Sequence, residues 1–294
     1  MSIAVIITDR NTDELCTQLA AQLPHVKIQQ WPDIPDPESV QLAVLWNHPE
    51  GITQPMRHLK MVVSMGAGMD HIDADPFLAA DVIRQRIVTL ALKQNMAQYV
   101  LQPILAVHRQ HKAYQVQQAK QQWQVLETAE KTPLIGFLGL GELGQFLADQ
   151  CAALGFATMA WTRSQNNRNH RCFHGDLGLQ QVCSASDFLV VLLPLTTATH
   201  GIINLKTLSW CKPTARLINV ARGGHVIEPE LITALDKGLI NHAVLDVFQQ
   251  EPLPPKHPFW THPKITITPH SSARSDVKQT AEHIVAYYQQ IQAY

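Results

Sequence analysis

Short apolar runs alternate with stretches of helical period along almost the whole chain. Residues 3–8, 42–46 and 61–64 read as buried strands closed by turn chemistry, with an amphipathic helix over 13–22 after the first. A second series opens at residues 134–138 and continues at 157–161, 188–193, 216–220, 243–247 and 265–268. Helices are predicted between several of these strands, over 142–154, 205–211 and 229–237, the last stopped by Gly238. Strands that alternate with helices build parallel sheets covered on both faces. Six such strands in the second series match a doubly wound dinucleotide-binding domain.

Between the two series, residues 95–124 are rich in Ala, Gln and Leu and contain no Gly. They predict one long helix running into a polar arm, a natural seam between domains. The final stretch, 275–294, is again helical, with Val277, Ala281, Ile284, Val285 and Tyr288 on one stripe that can pack back on the first domain. The organisation expected is α/β throughout. Residues 1–96 with 271–294 form one domain, and residues 97–270 form the dinucleotide-binding domain.

Composition narrows the function. With 294 residues the chain is long enough for two cores. A net charge of −1 from 23 basic and 24 acidic residues gives no electrostatic reason to expect a nucleic acid or a membrane surface as partner. The five cysteines, Cys16, Cys151, Cys172, Cys183 and Cys211, are scattered without C-x-x-C spacing, which argues against a disulfide framework or a zinc site. No stretch reaches the roughly 20 apolar residues that span a bilayer. The N-terminal apolar run reads as a strand rather than a secretory signal, so a cytoplasmic protein is expected.

The strongest local motif is Gly139-Leu140-Gly141-Glu142-Leu143-Gly144, placed directly after a strand and opening a helix. That context turns a weak G-x-G-x-x-G into a site for the pyrophosphate of a dinucleotide. After the next strand, where a site for NAD(H) usually carries an acid, residues 150–175 contain no Asp or Glu. Thr162, Arg163 and Ser164 stand there instead, with Arg168 and Arg171 beyond. A guanidinium and hydroxyls suit a 2′-phosphate, which favours NADP(H) over NAD(H). The alternative is a solvated basic loop.

Three further residues follow three successive strands: Arg222, Glu251 and His270. A parallel sheet gathers such residues at its carboxyl edge. Together they suit the reduction of a 2-oxo acid. A histidine can donate the proton, a carboxylate can hold its ring, and a fixed cation can bind the substrate and the developing oxyanion. The chain has fourteen other histidines. His257 and His262 read as structural, and a metal site built from them with His270 lacks ligand spacing. In the first domain, Gly66-Ala67-Gly68 can present backbone N–H groups to an anion, or can simply be a turn.

In this order the chain carries GAGMDHI, GLGELG, LLPLTTATHGIIN, INVARGG, AVLDVFQQEPLP and TPH. It resembles the D-isomer-specific 2-hydroxyacid dehydrogenases over most of its length. The resemblance implies a Rossmann-type cofactor domain inserted into a smaller flavodoxin-like substrate domain. It implies that Arg222 orients the substrate, that Glu251 supports the acid and that His270 is the general acid/base. It places the substrate carboxylate on the backbone at Ala67 and Gly68, with Trp46 and Arg57 completing the pocket. Further cofactor contacts are implied at Leu193, Pro194, Thr199 and Ser272, and the nicotinamide is implied near Val220, Ala221 and Asp246. A homodimer formed through the arm is also implied. Two departures bear on the pocket: Gln98 replaces a frequent Glu, and Arg274 adds a charge shortly after His270. The reaction expected is NAD(P)H-dependent reduction of glyoxylate, hydroxypyruvate or a similar short acid. A larger or phosphorylated acid, or a non-enzymatic dinucleotide sensor, is the alternative.

Overall fold

Strands enclosed on both faces of a parallel sheet must be apolar almost without break, and all six residues of the first strand are buried. The computed structural model describes residues 1–127, 132–163 and 170–293. The first series is β1 (Ser2–Ile7), α1 (Asp13–Gln22), β2 (Lys27–Gln30), β3 (Val40–Trp46), β4 (Met61–Ser64), α2 (Asp70–Asp73) and β5 (Ile83–Arg86). Helices α3 (Leu90–His108) and α4 (His111–Ala119) follow. The second series opens with β6 (Leu134–Leu138), α5 (Glu142–Ala153), β7 (Ala157–Trp161), β8 (Arg171–Phe173), α6 (Gly175–Ala185) and β9 (Phe188–Val191). It continues with α7 (Leu205–Ser209), β10 (Arg216–Asn219), α8 (Glu228–Asp236), β11 (His242–Leu245) and β12 (Ile265–Ile267), and α9 (Val277–Gln292) ends the chain.

The chain divides into two compact units, one of Met1–Leu92 together with the segment from Arg274 onward, the other of Lys93–Ala273. The second unit is therefore inserted into the first. In the first unit the five strands lie in the order β2-β1-β3-β4-β5, every pair parallel. This is the flavodoxin-like order. Helix α9 covers one face, burying Ala281, Ile284, Tyr288 and Ile291 among Leu15 and Leu19 of α1 and Ile3 and Val63 of the sheet. Its start is fixed by Asp276, whose carboxylate accepts from the Gln279 N–H at 2.8 Å, a cap of the preferred type.

In the second unit seven strands run β12-β11-β10-β9-β6-β7-β8, all parallel. The order reverses between β6 and β9, the Rossmann switch point at which dinucleotides bind. One core gathers Leu217, Leu245, Leu231 and Phe259; the other gathers Phe137, Phe188, Leu147 and Ile104. Among the described residues no helix is long and apolar enough to cross a membrane.

Several elements differ from the sequence reading. The expected helix over 95–124 is two helices, separated where Gln110 takes a left-handed φ of 54°. Strands β2, β5 and β8 and helix α6 were not anticipated. The three strands are short, and β2 and β5 are edge strands with mostly polar sequences, KIQQ and IRQR. The unit limits fall at 92/93 and 273/274, where 96/97 and 270/271 were expected.

Candidate active site

The turn from β6 into α5 carries the glycine motif. Gly139 turns the chain at φ +99°, and a Cβ there would stand 2.8 Å from the Leu192 carbonyl oxygen, so only glycine fits. A Cβ on Gly144 would stand 2.6 Å from the Gly139 carbonyl oxygen. Gly141 differs: a Cβ on it would meet nothing of the chain within 4 Å. Open space therefore faces the start of α5, whose first turn receives no side-chain cap. Uncapped N–H groups facing open space fit a pyrophosphate. Glu142, the first residue of the helix, is paired with Lys93 at 2.6 Å, which offsets its charge beside that space. Leu143 packs against the core below.

At the end of β7, Thr162 is buried and its N–H donates to the Phe173 carbonyl at 2.8 Å. Arg163 follows as an exposed residue. Ser164 and Arg168 lie outside the described residues. Arg171 rests over the Phe173 ring, 4.9 Å from its centroid. After β9, Leu193 is buried, and the Thr199 hydroxyl donates to the Pro194 carbonyl at 2.7 Å, closing that loop on itself.

The ends of β10, β11 and β12 bring Arg222, Glu251 and His270 into one region of the second unit. Asn219, the last residue of β10, is fully buried; its side chain donates to the Arg222 carbonyl at 3.0 Å and accepts from the Ala221 N–H at 3.2 Å. Val220 and Ala221 are buried beside it. Gly223 then lets the neighbouring loop pass, since a Cβ there would lie 1.8 Å from the Phe248 carbonyl carbon. This contact brings the loop carrying Glu251 against the one carrying Arg222. The Glu251 carboxylate accepts from the Phe248 N–H at 2.9 Å and faces His270 Nδ1 at 2.7 Å.

His270 itself is held in the left-handed region at φ 49°. Asp246, fully buried directly after β11, braces its loop. The Asp246 carboxylate accepts from the Thr268 hydroxyl at 2.6 Å and from the N–H groups of Ser271 and Ser272 at 2.8 Å each. The Asp246 carbonyl accepts from the His270 N–H at 2.8 Å. Both ends of the carboxylate thus serve the chain's own backbone. Burial alone would push the Glu251 carboxyl up, but the bonds from His270 and Phe248, with the nearby His270 and Arg222 charges, outweigh it and hold the group below its ordinary value.

In the first unit, Ala67 and Gly68 follow β4. The Gly68 carbonyl accepts from the buried Ser64 hydroxyl at 2.6 Å, and the Ala67 carbonyl from Arg86 at 3.3 Å. Trp46 closes β3, donating from its indole to Asp9 at 3.1 Å and resting on Gly66, where a Cβ would come within 3.1 Å of the ring. Arg57 is a correction. Its guanidinium is exposed and lies 3.6 Å from Glu38, which precedes β3, at the opposite end of the sheet from Trp46 and Ala67. An arginine in a connection gives no sign of which sheet edge it will occupy. Gln98 is exposed on α3, as is Arg274 beyond Ser272.

Among the described residues no group of three His, Cys, Asp or Glu is placed to hold a metal ion. His257 and His262 pair instead with Glu228 and Asp236, at 3.2 and 3.3 Å. The roles of Lys93, Thr268 and Tyr99 were not read from the sequence, because each depends on partners far away in the chain; that of Asn219, whose partners Ala221 and Arg222 lie two and three residues on, was missed although it is local.

The profile of the D-isomer specific 2-hydroxyacid dehydrogenase NAD binding domain matches residues 101–272. Glyoxylate/hydroxypyruvate reductase A of Photorhabdus laumondii is 37% identical over 259 residues, covering 86% of this chain and 82% of that protein. Among solved structures, a D-isomer specific 2-hydroxyacid dehydrogenase from Xanthobacter autotrophicus Py2, in complex with NADPH and MES, superposes with a TM-score of 0.91 at 32% identity, covering 99% of this chain and 95% of that one. The NADPH-dependent glyoxylate/hydroxypyruvate reductase of Sinorhizobium meliloti, in complex with NADP and sulfate, gives 0.89 at 32% identity over 100% and 96% of the two chains. With a matched profile over more than half its length and the sheet order and strand-end residues to go with it, the chain belongs to the D-isomer specific 2-hydroxyacid dehydrogenases.

Proposed function

We propose that the protein reduces a short 2-oxo acid, glyoxylate or hydroxypyruvate, to the 2-hydroxy acid with NADPH, His270 delivering the proton. The observation that carries this reading is the 2.7 Å contact of His270 Nδ1 with Glu251, in a loop packed against the one that carries Arg222. A ring held through Nδ1 leaves Nε2 to face a substrate carbonyl. The Glu251 carboxylate, held ionised, stabilises the protonated ring and keeps its orientation. When bound, NADPH supplies the hydride. Arg222 contributes a fixed positive charge, which binds the acid and stabilises the oxygen as it becomes an alkoxide. His270 then passes its proton to that oxygen. In the first unit, the N–H groups at Ala67 and Gly68 are assigned to a carboxylate, their carbonyls being already held by Arg86 and Ser64.

For the cofactor, the residues at the β6–α5 turn would hold the pyrophosphate, Arg163 and Thr162 the 2′-phosphate, and Val220, Ala221 and the Asp246 region the nicotinamide. The exposed Arg163, the lack of any acid over residues 150–175 and the bound NADPH or NADP in the Xanthobacter and Sinorhizobium structures support NADP(H) over NAD(H). Two apolar side chains exposed on the largely polar arm support a homodimer: Trp123 is fully exposed at 101% and Val125 at 84%. A cytoplasmic location accords with this chemistry.

The test is the initial rate with glyoxylate, hydroxypyruvate and pyruvate, each with NADPH and with NADH. Fast oxidation of NADPH by the first two is expected. A protein that turns over none of the six pairs is not this reductase.

A further inference from the structure

We propose that Tyr99 and Thr268 are positioning residues for the proton donor, linking helix α3 through Asp246 to the loop that holds His270. The inference rests on His270 being the acid and goes beyond it by naming what holds it in place.

A non-glycine residue persists in the left-handed region only where its surroundings over-determine it, and His270 has φ 49°. Four donors flanking or within its loop converge on one residue. The Thr268 hydroxyl and the N–H groups of Ser271 and Ser272 meet the Asp246 carboxylate, and the His270 N–H meets the Asp246 carbonyl. The chain is thereby gripped on both sides of His270. Thr268 has a single hydroxyl proton, and it is spent on Asp246 at 2.6 Å. The Tyr99 hydroxyl, 2.5 Å from Thr268 Oγ1, must therefore donate to it. The order is fixed from end to end: Tyr99 donates to Thr268, and Thr268 donates to Asp246.

This order does two things. It sets the rotation of the Thr268 side chain, which stands two residues before His270. It also ties the loop to α3 across a separation of 169 residues. Burial raises the Tyr99 phenol to about 12; the Thr268 bond lowers it and the Asp246 charge raises it. Tyr99 therefore keeps its proton, and stays a donor, across the range in which the reaction would run. Chains of this kind polarise one another and hold one geometry, and a proton donor displaced by about 1 Å can lose about a hundredfold in rate.

The experiment compares Tyr99→Phe, Thr268→Val and Thr268→Ser with the wild type, each loaded with NADPH. Rates are normalised to the NADPH-binding stoichiometry, so a misfolded fraction does not count. Tyr99→Phe keeps the ring and loses the donor. It is expected to lower kcat about tenfold with KM for NADPH within about twofold. The solvent deuterium isotope effect on kcat should rise as proton transfer becomes slower. Thr268→Val should cost more, and Thr268→Ser should restore most of what valine loses. Without any turnover, amide exchange at Ser271 and Ser272 should quicken in Tyr99→Phe. A normalised kcat and isotope effect unchanged in Tyr99→Phe, or exchange at Ser271 and Ser272 unchanged, overturns the proposal. His270→Gln measured alongside separates the two readings. Loss of turnover there with an unaffected Tyr99→Phe removes only the positioning role, while full turnover in His270→Gln removes the acid itself.

Discussion

Among the described residues, a histidine–carboxylate pair lies just beyond a parallel strand in each unit, and the two pairs are built to opposite ends. His270 and Glu251 meet at 2.7 Å with side chains 39% and 34% exposed; His48 and Asp75 meet at 3.3 Å with both at 3%. His48 lies two residues beyond β3, and His270 three beyond β12. Its second nitrogen, Nδ1, is buried with no hydrogen-bond partner, and its ring lies edge-on to His71 at 5.7 Å. A carboxylate beside an imidazole is thus not enough to make an acid catalyst. The role proposed for His270 also needs a ring nitrogen open to an incoming oxygen, and among the described pairs the His270–Glu251 pair has the most exposed ring and lies near the Arg222 charge. His170, His257 and His262 are likewise paired with acids, each with a side chain less exposed than that of His270.

The sharpest way to break this comparison is to remove both rings in turn. His270→Gln is expected to lower kcat/KM for glyoxylate about a thousandfold, within the range of a lost general acid, while His48→Gln leaves kcat nearly intact. Equal losses in the two variants would erase the distinction. Stability should reverse the ranking. Replacing His48 takes away the imidazole at Oδ2 of the buried Asp75, which keeps only the Phe77 N–H at Oδ1, and the denaturation midpoint should fall by the equivalent of about 1–3 kcal/mol, whereas His270→Gln should shift it little. Arg163→Gln, which touches neither pair, should narrow the preference for NADPH over NADH by about tenfold, the loss of one charge-assisted contact. The steady-state KM values for both cofactors measure this.

The smallest effect concerns acid. Glu251 is held below its ordinary value of 4.5. Its contribution to stability is present above the unfolded value and lost as pH falls through the lower folded one. Unfolding measured from pH 6 down to the acid limit should therefore show a dependence that Glu251→Gln removes, and a Gln variant with the wild-type acid profile would deny Glu251 that share.

Much of this was legible because parallel sheets simplify the reading. Buried strands such as LIGFL and FLVV announce themselves by composition, and residues that follow them must gather at one edge. That rule alone put Arg222, Glu251 and His270 together. It failed where burial is partial. The edge strands KIQQ and IRQR carry no apolar run, and α6 begins at Gly175 and contains Gly178. The break between α3 and α4 falls at Gln110, which neither glycine nor proline marks. Arg57 was misplaced because a connection between strands runs from one edge of the sheet to the other. Tyr99 passed unnoticed since its partner Thr268 lies in a distant strand end.

The return of the chain to the first unit has a consequence for synthesis. The inserted unit is one continuous stretch, Lys93–Ala273, and has all its strands as soon as Ile267 has left the ribosome. The first unit begins earlier yet finishes later, because α9 supplies Ala281, Ile284, Tyr288 and Ile291 to a core that already holds Ile3 and Val63. Until those last residues emerge, the face of the N-terminal sheet that carries Ile3 and Val63 is covered by α1 alone. The unit begun before the insert is completed after it, and of the two it is the one that nascent-chain chaperones have the longer time to hold.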